Sequence, residues 1–447
     1  MFQKLKKLKG EKNLSSLMAN LVTAALGLIS FMLLTRQLST ERFGDWVLFL
    51  ALTNFADSIR YGLTRTSVVR LLTNADKEQI KRLLGSSFRL SCIVLIIFWV
   101  ILWLTWGIWE HSGWQVINGY KLFLIWYPVF GLAALGWKNA YGLFQAEQNF
   151  NRMMLVRVSN IGLFVLFLII NLLWLKLEIT SIIIVYITTN LISSMWCTFR
   201  KWDGLFYLNH ADKITERQLF HFGKYSMGSL IGSNLLKSAD TFIIGSSTLM
   251  GPEAIAMYAI PLKLTDLIGI PLKSFSMTAY PRLSKQFLKN NMEEVKHIFY
   301  SYTGAVTFIL SPFILLCYLF AEPLVYILGG DGYLSVIDEL VLVLRIFTLY
   351  LFFLPFDRFL GILFDSIDQP KLNLFKVLAM ASANIAIDLI AVHYFQSLAL
   401  VAIGTVTFTL IGIGVGLFLI RDHLQINLKN LVAQTILFFK NFKEQLP

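Results

Sequence analysis

Runs of about 20 apolar residues recur along the whole chain, and this feature limits the possible folds most strongly. A helix needs about 20 apolar residues to cross the hydrocarbon core of a bilayer, and its backbone polar groups are all satisfied within the segment. The chain is also 56% hydrophobic and only 15% charged, which excludes an ordinary soluble globule. The sequence therefore predicts an all-α integral membrane protein.

The apolar runs predict twelve transmembrane helices. Their approximate bounds are 14–35, 43–61, 86–108, 120–144, 154–175, 179–199, 222–246, 254–280, 298–320, 338–359, 372–394 and 398–420. Lysine and arginine are concentrated in the connections on one side, so the positive-inside rule predicts that both termini are cytoplasmic. These connections account for the net charge of +12, and no basic folded domain indicates a nucleic-acid partner.

The longest inner connection, about 200–221, divides the spans into six plus six. A shift of 212 residues aligns 35–71 with 247–283 and pairs span 2 with span 8, as a parallel repeat of two halves requires. We therefore expect a six-helix N-terminal half (1–210) and a six-helix C-terminal half (211–427). An amphipathic tail helix (428–447) is predicted to lie on the inner membrane surface.

Charged residues within spans 7 and 8 are the first candidates for a functional site. An ionised side chain near the bilayer centre costs at least about 3 kcal/mol on insertion scales, so it normally faces a bundle interior or a wet cavity. Lys237 and Asp240 share one polar stripe of span 7, which also contains Ser226, Ser229 and Ser233. Lys263, Asp266 and Lys273 share one face of span 8. Each stripe is interpreted either as a buried pair that locks helices together or as the lining of a cavity.

Two prolines and a lysine excess add to the interpretation of span 8. Pro261 and Pro271 can break or bend the helix and free carbonyl groups for a wet cavity. Because lysines outnumber aspartates on this face, the lining is expected to favour an anion.

Other charges lie in the remaining spans. Asp57 and Arg60, three residues apart near the inner end of span 2, are interpreted either as a structural pair or as a gate. Lys138, Arg345 and Asp388 are predicted to be isolated charges within apolar runs. The candidates for binding a negatively charged substrate are Lys237, Lys263, Lys273, Arg345, Lys138 and Arg60. The candidates for coupling to an ion are Asp57, Asp240, Asp266 and Asp388, since acidic residues in membranes are the usual proton or sodium relays.

The sequence does not indicate an enzyme. It contains no Walker sequence, GxSxG, HExxH or DxD motif, and its six histidines are scattered. We therefore predict no catalytic residue, no metal site and no cofactor, although a proton or sodium gradient is a candidate energy source. A membrane glycan polymerase or a scaffold stays open as a third class, but a polymerase would need a substantial catalytic loop outside the membrane.

Three segments resemble one transporter family. Segment 20–52 contains the Phe43-Gly44 pair followed by Trp46, and segment 239–264, ADTFIIGSSTLMGPEAIAMYAIPLKL, repeats its pattern before AYPRLSK. The segment YGLFQAEQNFNR at 141–152 is similar to the family's link between spans 4 and 5. These segments resemble the polysaccharide-transport (Wzx-type) flippases of the multidrug/oligosaccharidyl-lipid/polysaccharide exporter superfamily.

This resemblance implies two six-helix bundles around a central cavity that opens alternately to each side. It implies a polyprenyl-diphosphate-linked oligosaccharide as the substrate, for O-antigen, capsule or a related glycan, moved from the inner to the outer leaflet of the bacterial cytoplasmic membrane. Membrane lipids, a glycan polymerase and glycosyltransferases of the same pathway are the expected partners. The alternative is a multidrug or cation antiporter of the same superfamily, which would prefer an acidic cavity.

Overall fold

The structure of the chain is a computed structural model. It describes residues 12–72, 75–112, 117–147, 149–247, 249–421, 423–424 and 426. The predicted tail helix, 428–447, lies outside the described residues, as do the side chains of Ser226, Ser229, Ser233 and Lys273.

The described residues form α-helices joined by short connections, with no β-strand among them. The helices are α1 (Lys12–Gln37), α2 (Thr40–Leu72), α3 (Lys77–Ser112), α4 (Asn118–Ala133), α5 (Leu135–Ala146), α6 (Phe150–Ile170), α7 (Ile179–Phe199), α8 (Lys213–Ser246), α9 (Gly251–Leu288), α10 (Met292–Leu319), α11 (Ala321–Gly329), α12 (Ile337–Ser366), α13 (Pro370–His393) and α14 (Leu398–Ile420). A π-helical turn, Asn171–Leu175, extends α6, and 3-10 turns occur at Leu205–His210 and Asp331–Val336.

A described helix occupies the position of each of the twelve predicted spans, with α4 and α5 together at the fourth position. Seven helices are long and apolar enough to cross a membrane, and the bent α4–α5 pair raises this number to eight. The protein is therefore an all-α integral membrane protein, and the full count of twelve spans stays a prediction.

Side-chain caps begin several helices where the sequence changes from a loop to an apolar run. Asn149, Asp212, Asn291 and Ser397 each accept a hydrogen bond from the backbone N–H three residues later. Such caps satisfy donors that the first turn of a helix leaves without partners. These polar residues therefore fix where α6, α8, α10 and α14 begin.

The chain forms two compact units, residues 1–256 and 257–447. The first unit includes α8, which packs antiparallel along α2. Close pairs along this seam are Leu48 with Gly245, Phe55 with Phe242, Gly62 with Met227, and Leu63 with Gly223. The predicted halves, 1–210 and 211–427, differ from these units and stay a prediction.

Aromatic side chains fill the core of the first unit. Trp46 stacks on Phe164, and Tyr186 stacks on Phe130 with ring centroids 5.4 Å apart. Trp46 is only 2% exposed, so this aromatic residue after the Phe43-Gly44 pair serves packing. The core holds α2, α4, α6 and α7 together beside the charged residues of the site.

The second unit has its own apolar core between α9, α10, α12 and the end of α14. Phe299, Phe359, Leu360, Leu363 and Phe364 are fully buried in it. Because lipid tails are as apolar as these side chains, close van der Waals packing rather than removal from water stabilises such a core. The unit therefore has the packed interior of an independent helical bundle.

Candidate functional site

A break between α4 and α5 lies beside buried charged residues of the first unit. Pro128 lies inside α4, and the chain bends by 51° between the two helices. A broken helix leaves carbonyl groups that need other donors. The Gly131 carbonyl accepts a hydrogen bond from Arg60 Nη1 at 2.8 Å, and the Ala133 carbonyl accepts one from Ser194 Oγ at 2.5 Å. The break thus provides an acceptor for a buried guanidinium.

Asp57, Arg60 and Lys138 form a buried ionic cluster. Arg60 is 2% exposed, and its Nη2 donates to Asp57 Oδ1 at 3.0 Å. Lys138 Nζ donates to Asp57 Oδ2, the second oxygen of the same carboxylate. The cluster therefore has two positive charges and one negative charge, although Lys138 was predicted to be an isolated charge. That prediction was wrong because the pairing crosses from α2 to α5, and no sequence spacing connects these helices.

Aromatic rings surround the Lys138 ammonium group. Its Nζ lies 5.0 Å from the centroid of the Phe130 ring, 5.2 Å from that of Tyr61 and 5.5 Å from that of Trp137. The negative face of an aromatic ring attracts a cation and offsets part of the cost of removing it from water. The indole Nε1 of Trp137 donates to Asn190 Oδ1 at 3.0 Å, which fixes the ring. The rings stabilise a lysine that remains 12% exposed.

The cluster lies near the middle of α2, and its position relative to the inner end of the membrane span stays a prediction. The helix continues from Thr40 to Leu72, eleven residues beyond the predicted end of span 2 at 61. The predicted span ends at the last strongly apolar residues, whereas Thr64 and Ser67 continue the helix as buried polar residues. Asp57 and Arg60 are a buried pair, as buried as the aromatic core around them.

In α8, Asp240 is buried at 7% exposure, and Lys237, one turn earlier, is exposed. Their mutual neutralisation stays a prediction. Close to them, Tyr120 donates its hydroxyl to the Phe242 carbonyl at 3.2 Å, and Phe55 packs edge-on against Phe242. The aspartate therefore sits beside the packed seam with α2, and the lysine lies on an exposed part of α8.

In the second unit, α9 runs through Pro261, Pro271 and Pro281 without a break. Each proline lacks the N–H that would bind the carbonyl four residues earlier, so three carbonyls of α9 are released from the helix ladder. Lys263 and Asp266, one turn apart on this helix, are both half-buried. The prolines therefore free carbonyl groups, as expected, while the helix stays continuous.

The buried acid of α13 has oxygen-bearing neighbours. Asp388 and Asn384 are fully buried, and Asn384 Nδ2 donates to Asp388 Oδ2 at 3.1 Å. A Cβ at Gly404 of α14 would lie 3.2 Å from Asp388 Oδ1, and Thr405 lies 3.4 Å from the Tyr258 hydroxyl. Asp388 was predicted to be an isolated charge, and this stays a prediction because the Asn384 amide that donates to it is uncharged. Within the described part of the chain, no three His, Cys, Asp or Glu side chains are grouped to hold a metal ion.

The remaining predicted cation, Arg345, is exposed on α12. Its guanidinium lies 5.4 Å from the centre of the Tyr318 ring on α10. This stacking satisfies the cation at the unit's surface. Arg345 is therefore exposed on the surface of the unit, whereas Asp388 is buried.

Sequence reasoning missed one buried ion pair. Lys376 of α13 is 2% exposed, and its Nζ donates to Asp357 Oδ1 at 2.6 Å and to the Asp357 carbonyl at 2.8 Å. A lysine within the apolar run 372–394 was the available signal, because a buried lysine requires a carboxylate partner. The partner lies 19 residues earlier, on α12.

Comparisons with known proteins agree with this helical architecture. The sequence profile of the family described as "Polysaccharide biosynthesis protein" matches residues 10–287, and that of the family described as "MatE" matches residues 226–390. A Shigella flexneri protein named "Putative O-antigen transporter" is 26% identical over an alignment 278 residues long that covers 58% of this chain. The matched region spans 63% of the length of that relative.

Two solved transporter structures share the fold. An inward-facing multidrug resistance MATE family transporter of the MOP superfamily gives a TM-score of 0.75 at 17% identity, over 92% of this chain and 99% of its own. The lipid II flippase MurJ in an inward closed conformation gives a TM-score of 0.73 at 15% identity, over 96% of this chain and 92% of its own. The matches confirm the superfamily resemblance and the prediction of a non-enzymatic membrane protein.

Proposed function

Because the chain belongs to the polysaccharide biosynthesis protein family, we propose that it is a flippase for a polyprenyl-diphosphate-linked oligosaccharide. It moves this glycan precursor from the inner to the outer leaflet of the bacterial cytoplasmic membrane by alternating access. Both termini lie in the cytoplasm, and a glycan polymerase and glycosyltransferases act on the same glycan. The name of the Shigella flexneri relative supports an O-antigen or related precursor as the substrate.

The positive excess of the buried cluster is the observation that carries this proposal. Arg60 and Lys138 share one carboxylate, Asp57, so a net positive charge lies within the helices of the first unit. A buried charge without full compensation is costly, and a diphosphate would compensate it. A cationic drug would be repelled from the same position. The cluster therefore favours an anionic lipid-linked substrate.

Arg60 and Lys138 have different roles in this proposal. Arg60 is held by both Asp57 and the Gly131 carbonyl, so it stays in place and keeps the carboxylate paired. Lys138 is held by Asp57 and by aromatic faces, and its side chain is more exposed, at 12%, than that of Arg60, at 2%. When a diphosphate arrives, this ammonium donates charge-assisted hydrogen bonds to the phosphate oxygens.

Replacing Lys138 with methionine tests the proposal directly. Lys138→Met leaves Asp57 and Arg60 as a neutral pair, so the fold should survive while the positive excess disappears. We expect glycan export in a deletion strain to fall by about tenfold or more, since one charged contact with the diphosphate is lost. The control is Lys138→Arg, which keeps the charge and should retain most of the export. Full export by a folded Lys138→Met protein would refute the role of the cluster.

Asp388 is the strongest candidate for coupling transport to an ion gradient. Its carboxylate and the side-chain carbonyl of Asn384 offer oxygen atoms, which suit sodium, while the carboxylate alone suits a proton. We propose that Asp388 carries the coupling ion, with Asp57, Asp240 and Asp266 as the remaining candidates. Asp388→Asn should abolish the dependence of export on a sodium or proton gradient. Gradient-dependent export by this variant would reject the assignment.

Lys237 and Lys263 are the next cations to test. Lys237 is exposed on α8 and Lys263 is half-buried on α9, so both can meet a charged solute. Lys273 and Arg345 complete the proposed set of substrate-binding cations. The Lys237→Ala and Lys263→Ala variants, singly and together, should reduce glycan export, and unchanged export would remove these residues from the substrate path.

A multidrug antiporter is the second candidate. The match of residues 226–390 to the MatE family and the fold shared with a MATE transporter support it. This function predicts that a deletion strain becomes more sensitive to cationic drugs while its surface glycan stays intact. The flippase proposal predicts the opposite pattern.

A further inference from the structure

A basic and apolar cavity opens on the first turns of α8. It has a volume of about 470 Å³ and is lined by Lys213, Ile214, Arg217, Gln218, His221 and Phe222. All six are exposed, and Ile214 and Phe222 keep 74% and 36% of their surface accessible. Their spacing of three to four residues places them along one side of the helix. Two lysine or arginine side chains, one histidine and two large apolar side chains therefore share one surface.

The opposite side of α8 is fixed to the bundle. Leu219 is fully buried, and its carbonyl accepts a hydrogen bond from the Ser67 hydroxyl at 2.9 Å. Gly223 lies so close to Leu63 that a Cβ would meet its carbonyl oxygen at 1.9 Å. The cavity residues lie on the other, exposed side of α8, and Phe222 at one edge of the cavity reaches the end of α2.

The nearby acids do not neutralise the cavity. Glu216 pairs with Arg89 of α3 on the bundle side of the helix. Asp212 accepts hydrogen bonds from the hydroxyl and the backbone N–H of Thr215, and these bonds lower the pKa of its carboxyl group. Arg89 offsets the charge of Glu216, and the remaining carboxylate of Asp212 is outnumbered by Lys213 and Arg217, so the lining of the cavity has a positive excess.

The end of α2 contributes one more cation beside the cavity. Arg70 is exposed, and its guanidinium lies 4.6 Å from the centre of the Phe222 ring. Basic groups from both helices therefore flank the same aromatic residue. An anion held between them would contact α2 and α8 at once.

We propose that this cavity binds an anionic glycerophospholipid. Basic side chains beside exposed apolar ones on one helix face are typical of a membrane interface, where each lysine or arginine strengthens attraction to anionic lipid. Lys213, Arg217 and Arg70 contact the phosphate, and Ile214 and Phe222 lie along the acyl chains. The bound lipid fastens the ends of α2 and α8 together. This lipid site is separate from the Asp57 cluster and does not depend on the proposed flippase activity.

Lipid titration of the full-length purified protein tests the inference. Native mass spectrometry measures the retention of dioleoylphosphatidylglycerol and of dioleoylphosphatidylcholine. Lys213→Ala/Arg217→Ala should weaken retention of the glycerol lipid by about 30-fold, which is the expected effect of removing two basic side chains. Retention of the choline lipid should not change. Lys285→Ala/Lys289→Ala is the matched control, because it removes two exposed cations four residues apart at the end of α9.

Two further measurements distinguish loss of lipid binding from loss of folding, and a lipid site from a simple ion site. The unfolding midpoint of each variant without lipid shows whether it is folded, and Ile214→Ser supplies a second variant that keeps every charge. We expect phosphatidylglycerol to raise the midpoint of the wild-type protein, and to raise it less in Ile214→Ser and in Arg70→Ala. Equal loss of retention in the control variant would overturn the proposal. Stabilisation by inorganic phosphate that Ile214→Ser leaves unchanged would also overturn it, since an ion site needs no apolar contact.

Discussion

The partners of Lys138 are visible only in the three-dimensional structure. In the sequence it is one lysine in an apolar run, whereas in the structure it completes an ionic cluster with Asp57 and Arg60. The Asp57–Arg60 pair was predictable, because residues three apart on a helix are neighbours. The third member was not, since Lys138 lies on α5, 81 residues after Asp57, and no local spacing relates the two helices. Local spacing therefore identified the pair but not the net charge of the cluster.

Removal of the shared carboxylate should destabilise the first unit. Asp57→Asn leaves the Arg60 and Lys138 cations together without an anion, and breaking a buried ion pair in this way costs about 3–5 kcal/mol. The unfolding midpoint of the purified variant should fall sharply. Asp57→Asn/Lys138→Met, which removes one cation as well, should recover part of the loss. A single variant as stable as the wild-type protein would show that the three residues do not form the cluster described.

The Lys376–Asp357 pair makes a separate prediction for the second unit. Lys376→Met removes a cation that is 2% exposed and leaves the Asp357 carboxylate without its ammonium partner. The free energy of unfolding should fall by about 3–5 kcal/mol. The matched control is Lys376→Met/Asp357→Leu, which replaces both charges with apolar groups and should be near wild-type in stability. If both variants lose stability equally, the pair contributes through side-chain packing rather than charge.

Helix positions were largely predictable at the scale of single elements. Apolar runs of about 20 residues located a helix at every expected place because lipid requires such runs. The α4–α5 break was not predicted, although Pro128 was visible in the sequence, because proline alone does not decide between a bend and a continuous helix. Helix α9 makes the same point, since three prolines leave it unbroken.

The seam between α2 and α8 depends on glycines at close approaches. A Cβ added at Gly62 would lie 2.5 Å from Met227 Cα, so the two backbones pack nearly in contact. Small residues allow membrane helices to approach in this way. The sequence does not distinguish Gly62 from Gly228 or Gly232, where a Cβ would meet nothing within 4 Å. Only the packing shows which glycines are required.

Gly62→Ala should separate the helices at this seam and destabilise the protein by roughly 1–3 kcal/mol, as overpacking does. The matched control is Gly228→Ala, which should be neutral or stabilising by at most about 1 kcal/mol because alanine favours helix. Thermal unfolding of both variants in the same detergent measures the difference. Equal stability of the two variants would contradict the close packing at Gly62.

At the scale of the whole molecule, composition and motifs identified the membrane class, the helical fold and the superfamily. Lipid restricts a spanning chain to very few architectures, which makes this level of prediction possible. The grouping of α8 with α2 in the first unit was not predicted, because sequence position favours packing against the helices that follow it. Which helices group together depends on side-chain contacts between distant segments, and apolar runs contain little information about these.

The chain is proposed to move a lipid-linked glycan and to use the positive excess at Lys138 for this transport. The most direct test reconstitutes the purified protein in liposomes with a labelled polyprenyl-diphosphate oligosaccharide and measures its transfer between leaflets. The wild-type protein should transfer the label, and folded Lys138→Met should do so about tenfold more slowly or worse. Absence of transfer by the wild-type protein, together with uptake of a cationic dye in the same liposomes, would contradict the account and favour the antiporter.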